Sequence, residues 1–285
     1  MTHMVTLTVA GVSFAVSAPD GAWAAELAGR YAPYLSAAPP DWRVRLLHQA
    51  DFDPAAAPWV IHEEQRTRFS VGHMTGVIDL ATRVAEVTAP ELGYGGSAVD
   101  RTISFILMQE LPRGHDALLL HGVALVRHGW GLAHCGRSGV GKTTTARLAA
   151  GYAEVLVDEN LVISLAGGQP LLLSTPFWGG STPLAMIRRV KRQAPLRALL
   201  LPEHGPDFAL ERLTDGDAVL ALLTTEKVAI ERVSSASAWL ATAEKLVAQI
   251  PTYRLHFRPT QELWPFLDQA LGLAGNCSAG GPNVG

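Results

Sequence analysis

The sequence predicts an α/β protein, α+β overall, with a small α+β module over residues 1–92 and a larger domain over 93–275. Three observations predict it. Residues 5–87 hold short runs that alternate apolar with polar or small side chains, the period of a half-buried strand. Residues 117–165 hold denser apolar runs, the texture of buried strands, broken by one glycine-rich loop and one helix. Between the two textures lies Gly93–Gly96, which reads as a joint.

In order along the chain, Val5–Ala10 and Val12–Ser17 read as a hairpin around Gly11. Ala22–Tyr34 places apolar residues at helical spacing and ends at a proline-rich stretch. Trp42–His48, Trp59–His62, Arg68–Val71, Gly76–Leu80 and Val84–Val87 follow as short strands split by turn residues. Nothing in this module has catalytic spacing. Ser97–Leu111 presents Val99, Ile103, Phe105, Ile106, Leu107 and Leu111 on a broad apolar face. This helix is capped by Ser97 or Asp100 and is expected to stop at Pro112 and Gly114.

Strands are then expected at Ala117–Leu120, Val123–Val126, Gly131–Cys135, Val155–Val157, Leu161–Leu165, Leu171–Leu173, Arg197–Leu201 and Tyr253–Phe257. Helices are expected at Thr143–Ala150, Asp217–Leu223, Ser237–Gln249 and Thr260–Leu273, with Pro265 fitting only near the start of the last. Residues 276–285 are rich in Gly, Ser, Pro and Asn and read as a frayed tail.

A net charge of −3 lacks the basic balance of a nucleic-acid binder. No run approaches the roughly 20 apolar residues of a membrane span. The N-terminus alternates and lacks a basic flank, so it reads as strands rather than a signal peptide. Two cysteines far apart, Cys135 and Cys277, argue for a reducing cytoplasm over a disulfide framework.

The chemistry is concentrated at Gly136-Arg137-Ser138-Gly139-Val140-Gly141-Lys142-Thr143, which matches G-x-x-x-x-G-K-[ST] in full. An apolar strand precedes it and a helix follows it, as the motif requires. Glycines let the backbone turn with positive φ and bring amides close to phosphate oxygens. The helix N-terminus adds partial positive charge. Lys142 reaches the β- and γ-phosphates, and Thr143 offers a hydroxyl to Mg²⁺. Thr144, next in the first helical turn, completes the nucleotide-binding set. The expected cofactors are ATP, or another nucleoside triphosphate, and Mg²⁺.

Asp158-Glu159 closes the run VLVDEN and suits a metal-binding or base position beside the loop. His121 ends the run ALLLH; a lone histidine there is more often structural than catalytic.

Together, His121-Gly122, Gly136–Thr143 and Asp158-Glu159 resemble the catalytic domain of HPr kinase/phosphorylase. In that family a His-Gly pair precedes two strands, a phosphate loop, a helix and paired acids. The resemblance covers about 115–165. It implies a phosphoenolpyruvate-carboxykinase-like kinase fold and transfer of phosphate to a seryl hydroxyl. It makes Asp158 the general base, puts Glu159, Thr143 and Asp158 on Mg²⁺, and sets His121 near the transferring phosphoryl group, with Lys142 as the third catalytic residue. It also admits a homo-oligomer.

The chain departs from that family in three ways. Its second acid is Glu, the Gly-Pro-rich signature after the acids is absent, and the first module differs. These departures, with Ser174–Gly180 and the ending YRLHFRPTQELW, look like the HPr-kinase-related proteins of peptide-modifying gene clusters, including kinases acting on lasso-peptide precursors. The expected acceptor is a peptide or protein, and the first module would recognise it or mediate assembly. A kinase for a small-molecule hydroxyl and a non-catalytic nucleotide-binding regulator are the rival readings.

Weaker candidates remain. The aromatic turn Thr175–Gly180 reads as an acceptor wall or a packed loop. Arg188, Arg189, Lys191 and Arg192 form a basic cluster that suits transition-state charge, an acidic peptide, or plain solvation. Residues 181–195 read as a mobile segment suited to a lid. Arg254 and Arg258 reach either nucleotide or solvent, Trp264 reads as packing, and Cys135 as a small buried hydrophobe.

Overall fold

The computed structural model describes residues 3–51, 53, 57–63, 65–136, 139, 141–179, 189–225 and 236–274. Two seven-stranded mixed sheets carry the chain. The first is built from β1 (His3–Val9), β2 (Val12–Ala18), β3 (Trp42–His48), β4 (Trp59–Glu63), β5 (Arg66–Val71), β6 (Met74–Asp79) and β7 (Val84–Ala89), in the order β1-β2-β3-β7-β6-β5-β4. Alternation does its work here: β3 reads buried, exposed, buried, exposed, buried from Trp42 to Leu46. Between β2 and β3 runs α1 (Gly21–Arg30), whose N-terminus is capped by Asp20 accepting from the amides of Ala22 and Trp23. A short 3₁₀ turn, Ala32–Tyr34, takes up what was expected to be the last turn of that helix.

The long helix α2 (Leu92–Gly114) corrects two expectations. It starts five residues before Ser97, through Gly93–Gly96, so neither Ser97 nor Asp100 caps it. The glycines are there for contact. A Cβ on Gly95 would lie 2.7 Å from the Trp23 ring, and one on Gly96 would lie 2.7 Å from Arg30 Cδ. The helix also runs through Pro112, which sits in its final turn and deletes one hydrogen bond just before the end. Asp100, freed from capping, receives the Arg30 guanidinium and the Tyr31 hydroxyl, the latter at 2.6 Å.

The second sheet holds β8 (Ala117–Arg127), β9 (Trp130–Cys135), β10 (Glu154–Ser164), β11 (Leu171–Leu173), β12 (Gln193–His204), β13 (Ala209–Arg212) and β14 (Thr252–Phe257). The order is β11-β10-β8-β9-β12-β14-β13. β9, β12 and β14 run parallel, while β8 and β10 run antiparallel to their neighbours. β11 also pairs with β12, which closes five of the strands into a ring. Helices α3 (Lys142–Leu148), α4 (Asp215–Thr225), α5 (Ala236–Gln249) and α6 (Leu263–Leu271) complete it, with Pro265 in the first turn of α6.

β8 and β10 each merge two expected strands into one. Gly122 read as a breaker, yet a Cβ there would come 2.6 Å from the carbonyl oxygen of His134. Glycine lets β9 lie close at that point, and the strand passes straight through it.

One core runs continuously from the first sheet through α2 to α4, α5 and the second sheet. Across its first half, Phe69 and Phe105 meet edge to face with centroids 5.1 Å apart. A smaller core lies under α3 and α6, around Val123, Leu200, Phe257 and Trp264. Among the described residues no helix is long and apolar enough to cross a membrane.

Candidate active site

β9 leads into the glycine-rich loop at Gly136. Gly139 and Gly141 take φ of +89° and +106°, which side-chain-bearing residues rarely adopt. Gly141 is constrained twice, because a Cβ there would lie 2.8 Å from Phe257 Cζ and 3.1 Å from His204 Nε2. Lys142 is 7% exposed, and its ammonium donates to the carbonyl of Gly136, so the loop closes around it. Thr145 Oγ1 donates to the carbonyl of Gly141 at 3.0 Å and stitches the loop to α3. Thr143 and Thr144 are half-buried in the first turn of that helix. Arg137, Ser138 and Val140 lie outside the described residues.

Strand register places the acids. Asp158 stands opposite Val123, which stands opposite His134; Glu159 stands opposite Gly122, which stands opposite Cys135; Asn160 stands opposite His121. β9 ends at Cys135, but β8 and β10 run on. His121 and the acids are therefore mid-strand rather than at strand ends; Glu159 is level with Cys135 and Asp158 with His134, one and two residues before the loop begins. Directly paired residues share a face and neighbours alternate. Asp158, His121 and Val123 thus share one face, and Val123 packs there with Ala146 and Ala149 at α3. Glu159 projects from the opposite face.

Asp158 and His121 are both 6% exposed. His121 Nδ1 bonds the carbonyl of Glu159 at 2.9 Å. A carbonyl only accepts, so Nδ1 carries a proton. His134, which sequence reasoning passed over, is fully buried on the same face as Asp158. Among the described residues neither of its ring nitrogens has a partner. Burial alone lowers its pKa to about 3, so it stays neutral.

The aromatic turn packs along the acid-bearing strand. Thr175 Oγ1 donates to the carbonyl of Asn160, the amide of Gly179 donates to the carbonyl of Asp158 at 3.3 Å, and Trp178 bridges Glu159. Gly180 lies outside the described residues. Beside this turn opens a cleft of about 230 Å³, with Arg30, Asp100 and Arg101 on one wall and Glu159, Phe177 and Trp178 on the other. No local signal in the sequence pairs these residues, since Arg30 ends α1 and Glu159 lies in β10.

The remaining candidates disperse. Arg188 lies outside the described residues, Lys191 is exposed, and Arg192 forms an ion pair with Glu154. Residues 193–195, the end of the expected lid, belong to β12, and 180–188 lie outside the described residues. Arg254 sits between Glu203 and Glu211 at 3.6 and 3.7 Å. Arg258 pairs with Glu262 and covers the Phe208 ring at 5.1 Å. Trp264 is fully buried and donates its indole N–H to the carbonyl of Leu148 at 2.6 Å. Cys135 is buried at the end of β9, and Cys277 lies outside the described residues.

Mg²⁺ carried on nucleotide phosphates needs only one or two protein carboxylates. Asp158 on the α3 face and the Thr143 hydroxyl fit that requirement. Among the described residues no cluster of three His, Cys, Asp or Glu side chains is arranged to hold a metal by itself.

No family model matches the chain, and no curated protein matches it. Among solved structures, the HPr(Ser) kinase/phosphatase from Coxiella burnetii is similar over 54% of this chain and 87% of its own, with 14% identity and a TM-score of 0.30.

Proposed function

We propose that this chain is an ATP- and Mg²⁺-dependent phosphotransferase with an alcohol acceptor, a serine of a peptide or protein, working in the cytoplasm. The observation that carries the reading is a buried carboxylate, Asp158, on the α3 face and two strand positions before the start of a glycine-rich loop whose glycines adopt the left-handed backbone. A nucleotide binder with no chemistry needs the loop but not the acid.

Loop amides and Lys142 would hold the β- and γ-phosphates. The Thr143 hydroxyl, with Asp158, would hold the metal; Glu159, on the opposite face, is set aside for that role. Bound Mg·nucleotide supplies the phosphoryl group and neutralises charge around it. Asp158 takes the proton of the acceptor hydroxyl as its oxygen bonds to the γ-phosphorus. The bond to the β–γ bridging oxygen breaks, and the nucleoside diphosphate leaves with that electron pair. His121 shares that face, its Nδ1 donating to the Glu159 carbonyl. The first sheet serves acceptor recognition or assembly.

The test is mass spectrometry of serine peptides and small hydroxy compounds incubated with the full chain and Mg·ATP. One phosphate gained on a peptide serine is the expected result. Asp158→Asn should slow that gain by about 10²- to 10⁴-fold, the usual worth of a general base. Transfer by Asp158→Asn at the wild-type rate would sink the assignment. Phosphate found only on a small hydroxy compound would move the acceptor class.

A further inference from the structure

The glycine-rich loop stands beside strands that outlast β9. Register sets Leu200 of β12 beside His134 of β9, and β9 ends one residue later, at Cys135. β12 continues to His204, where Phe257 of β14 stands next to it. These two strands therefore run on past the start of the loop and form a wall along one side of it. Asp158 lies to the other side, across β8, in the order β10-β8-β9-β12-β14.

Leu200, Leu255 and Phe257 pack with Val123 and with Ala146 of α3, so the wall shares the face that bears Asp158. Alternation puts Pro202 and His204 on that face too. The charged residues of this edge turn the other way, where Arg254 and His256 lie with Glu203 and Glu211. Of Pro202, His204, Leu255 and Phe257, only His204 has a polar side chain. It is exposed, and its ring stacks on that of Phe257 with centroids 5.0 Å apart and planes 27° from parallel. Among the described residues it makes no hydrogen bond or ion pair. Phe257 is fully buried and fixes one side of the imidazole. A Cβ on Gly141 would lie 3.1 Å from His204 Nε2, so Nε2 is the polar atom that β12 sets against the loop's last glycine.

Resting on the nucleotide-binding reading above, we infer that His204 is a nucleotide contact, its Nε2–H donating to a phosphate oxygen of the diphosphate part held by the loop. The side of the loop decides which part. In the proposed transfer the acceptor oxygen, the γ-phosphorus and the bridging oxygen lie roughly in line, with Asp158 at the acceptor end. The diphosphate extends away from Asp158, toward the β12 side where His204 stands. His204 therefore holds the portion that stays behind as nucleoside diphosphate. The stack on Phe257 presets the ring, so little side-chain freedom is lost when the nucleotide arrives.

Two substitutions separate the contact from the stack. His204→Phe keeps a ring on Phe257 and removes the N–H. His204→Gln gives up the ring and keeps an amide N–H of similar reach. The full chain is titrated calorimetrically with Mg·ATP and with Mg·ADP, and the urea midpoint of each variant reports that it is folded. His204→Phe should weaken both nucleotides by about tenfold, the scale of one hydrogen bond to a charged group, and by the same factor for each. His204→Gln should stay within a few-fold of wild type. A residue that only packs gives the reverse order, with Phe tolerated and Gln costly, and that result overturns the contact. Unchanged affinity in His204→Phe overturns it as well and leaves the nucleotide reading standing. A loss confined to Mg·ATP overturns the assignment to the diphosphate. If wild type binds neither nucleotide, or Lys142→Ala binds both as wild type does, the loop reading falls and His204 falls with it.

Discussion

The two sheets have the same number of strands and opposite habits toward polar groups. In the first, the buried polar residues are Ser13 and Thr67, both hydroxyls. In the second and its loop, His121, His134, Lys142 and Asp158 are all buried. A sheet that only has to fold excludes ionisable groups, because each buried charge costs free energy unless paired. The second sheet carries that cost at one place. The difference is one of placement: the first sheet buries hydroxyls singly, and the second gathers its buried ionisable groups near the glycine-rich loop.

Substitutions can break or sharpen that contrast. The largest effect belongs to the first sheet's core. Trp42 is fully buried, and Trp42→Ala should cost about 3–5 kcal/mol of stability, read as a lower urea midpoint. The folded fraction should still bind nucleotide with wild-type affinity; altered affinity would make the first sheet part of the site. Lys142→Ala should show the converse. Phosphate transfer should fall about 10²- to 10³-fold, with the urea midpoint little changed. A collapse of stability instead would mean that Lys142 is buried for structure.

The smallest effect is a pH dependence. Folded His134 titrates near 3, and an unfolded histidine titrates near 6.5. Between those values the unfolded chain holds the extra proton, so this contribution is intact above 6.5 and is lost as pH falls toward 3. From pH 7 to pH 5 the wild type should lose about 2 kcal/mol on this account. His134→Leu should lose that much less, measured as the difference between urea midpoints at the two pH values. Parallel losses in both proteins would show that the buried ring titrates normally.

What could be read from the sequence follows the range of each interaction. The loop from Gly136 to Thr143 was legible because its chemistry is contiguous: every residue needed lies within one turn. Strand positions in the first sheet were legible to within a residue or two, since alternation is local. Gly122 and Gly93–Gly96 misled for one reason. Glycine marks either a break or a close approach, and only the partner, here His134, Trp23 or Arg30, tells which. The site beyond the loop depends on long-range register. Asp158 is brought level with His134, two residues before Gly136, through two successive strand pairings, Asp158 with Val123 and Val123 with His134, and no spacing along the chain encodes that. The cleft was invisible for the same reason, as Arg30 meets Asp100 across 70 positions.

Helix α2 carries a consequence for how this protein could change over time. Its N-terminal turns are carved to Trp23 and Arg30, and its remaining length packs on both sheets. A lineage that exchanged the first sheet for another would have to rework Gly95, Gly96 and Asp100 at the same moment. The helix behaves as a shared inheritance of both halves. Novelty would therefore enter more readily by drift along the cleft's rim than by shuffling whole modules.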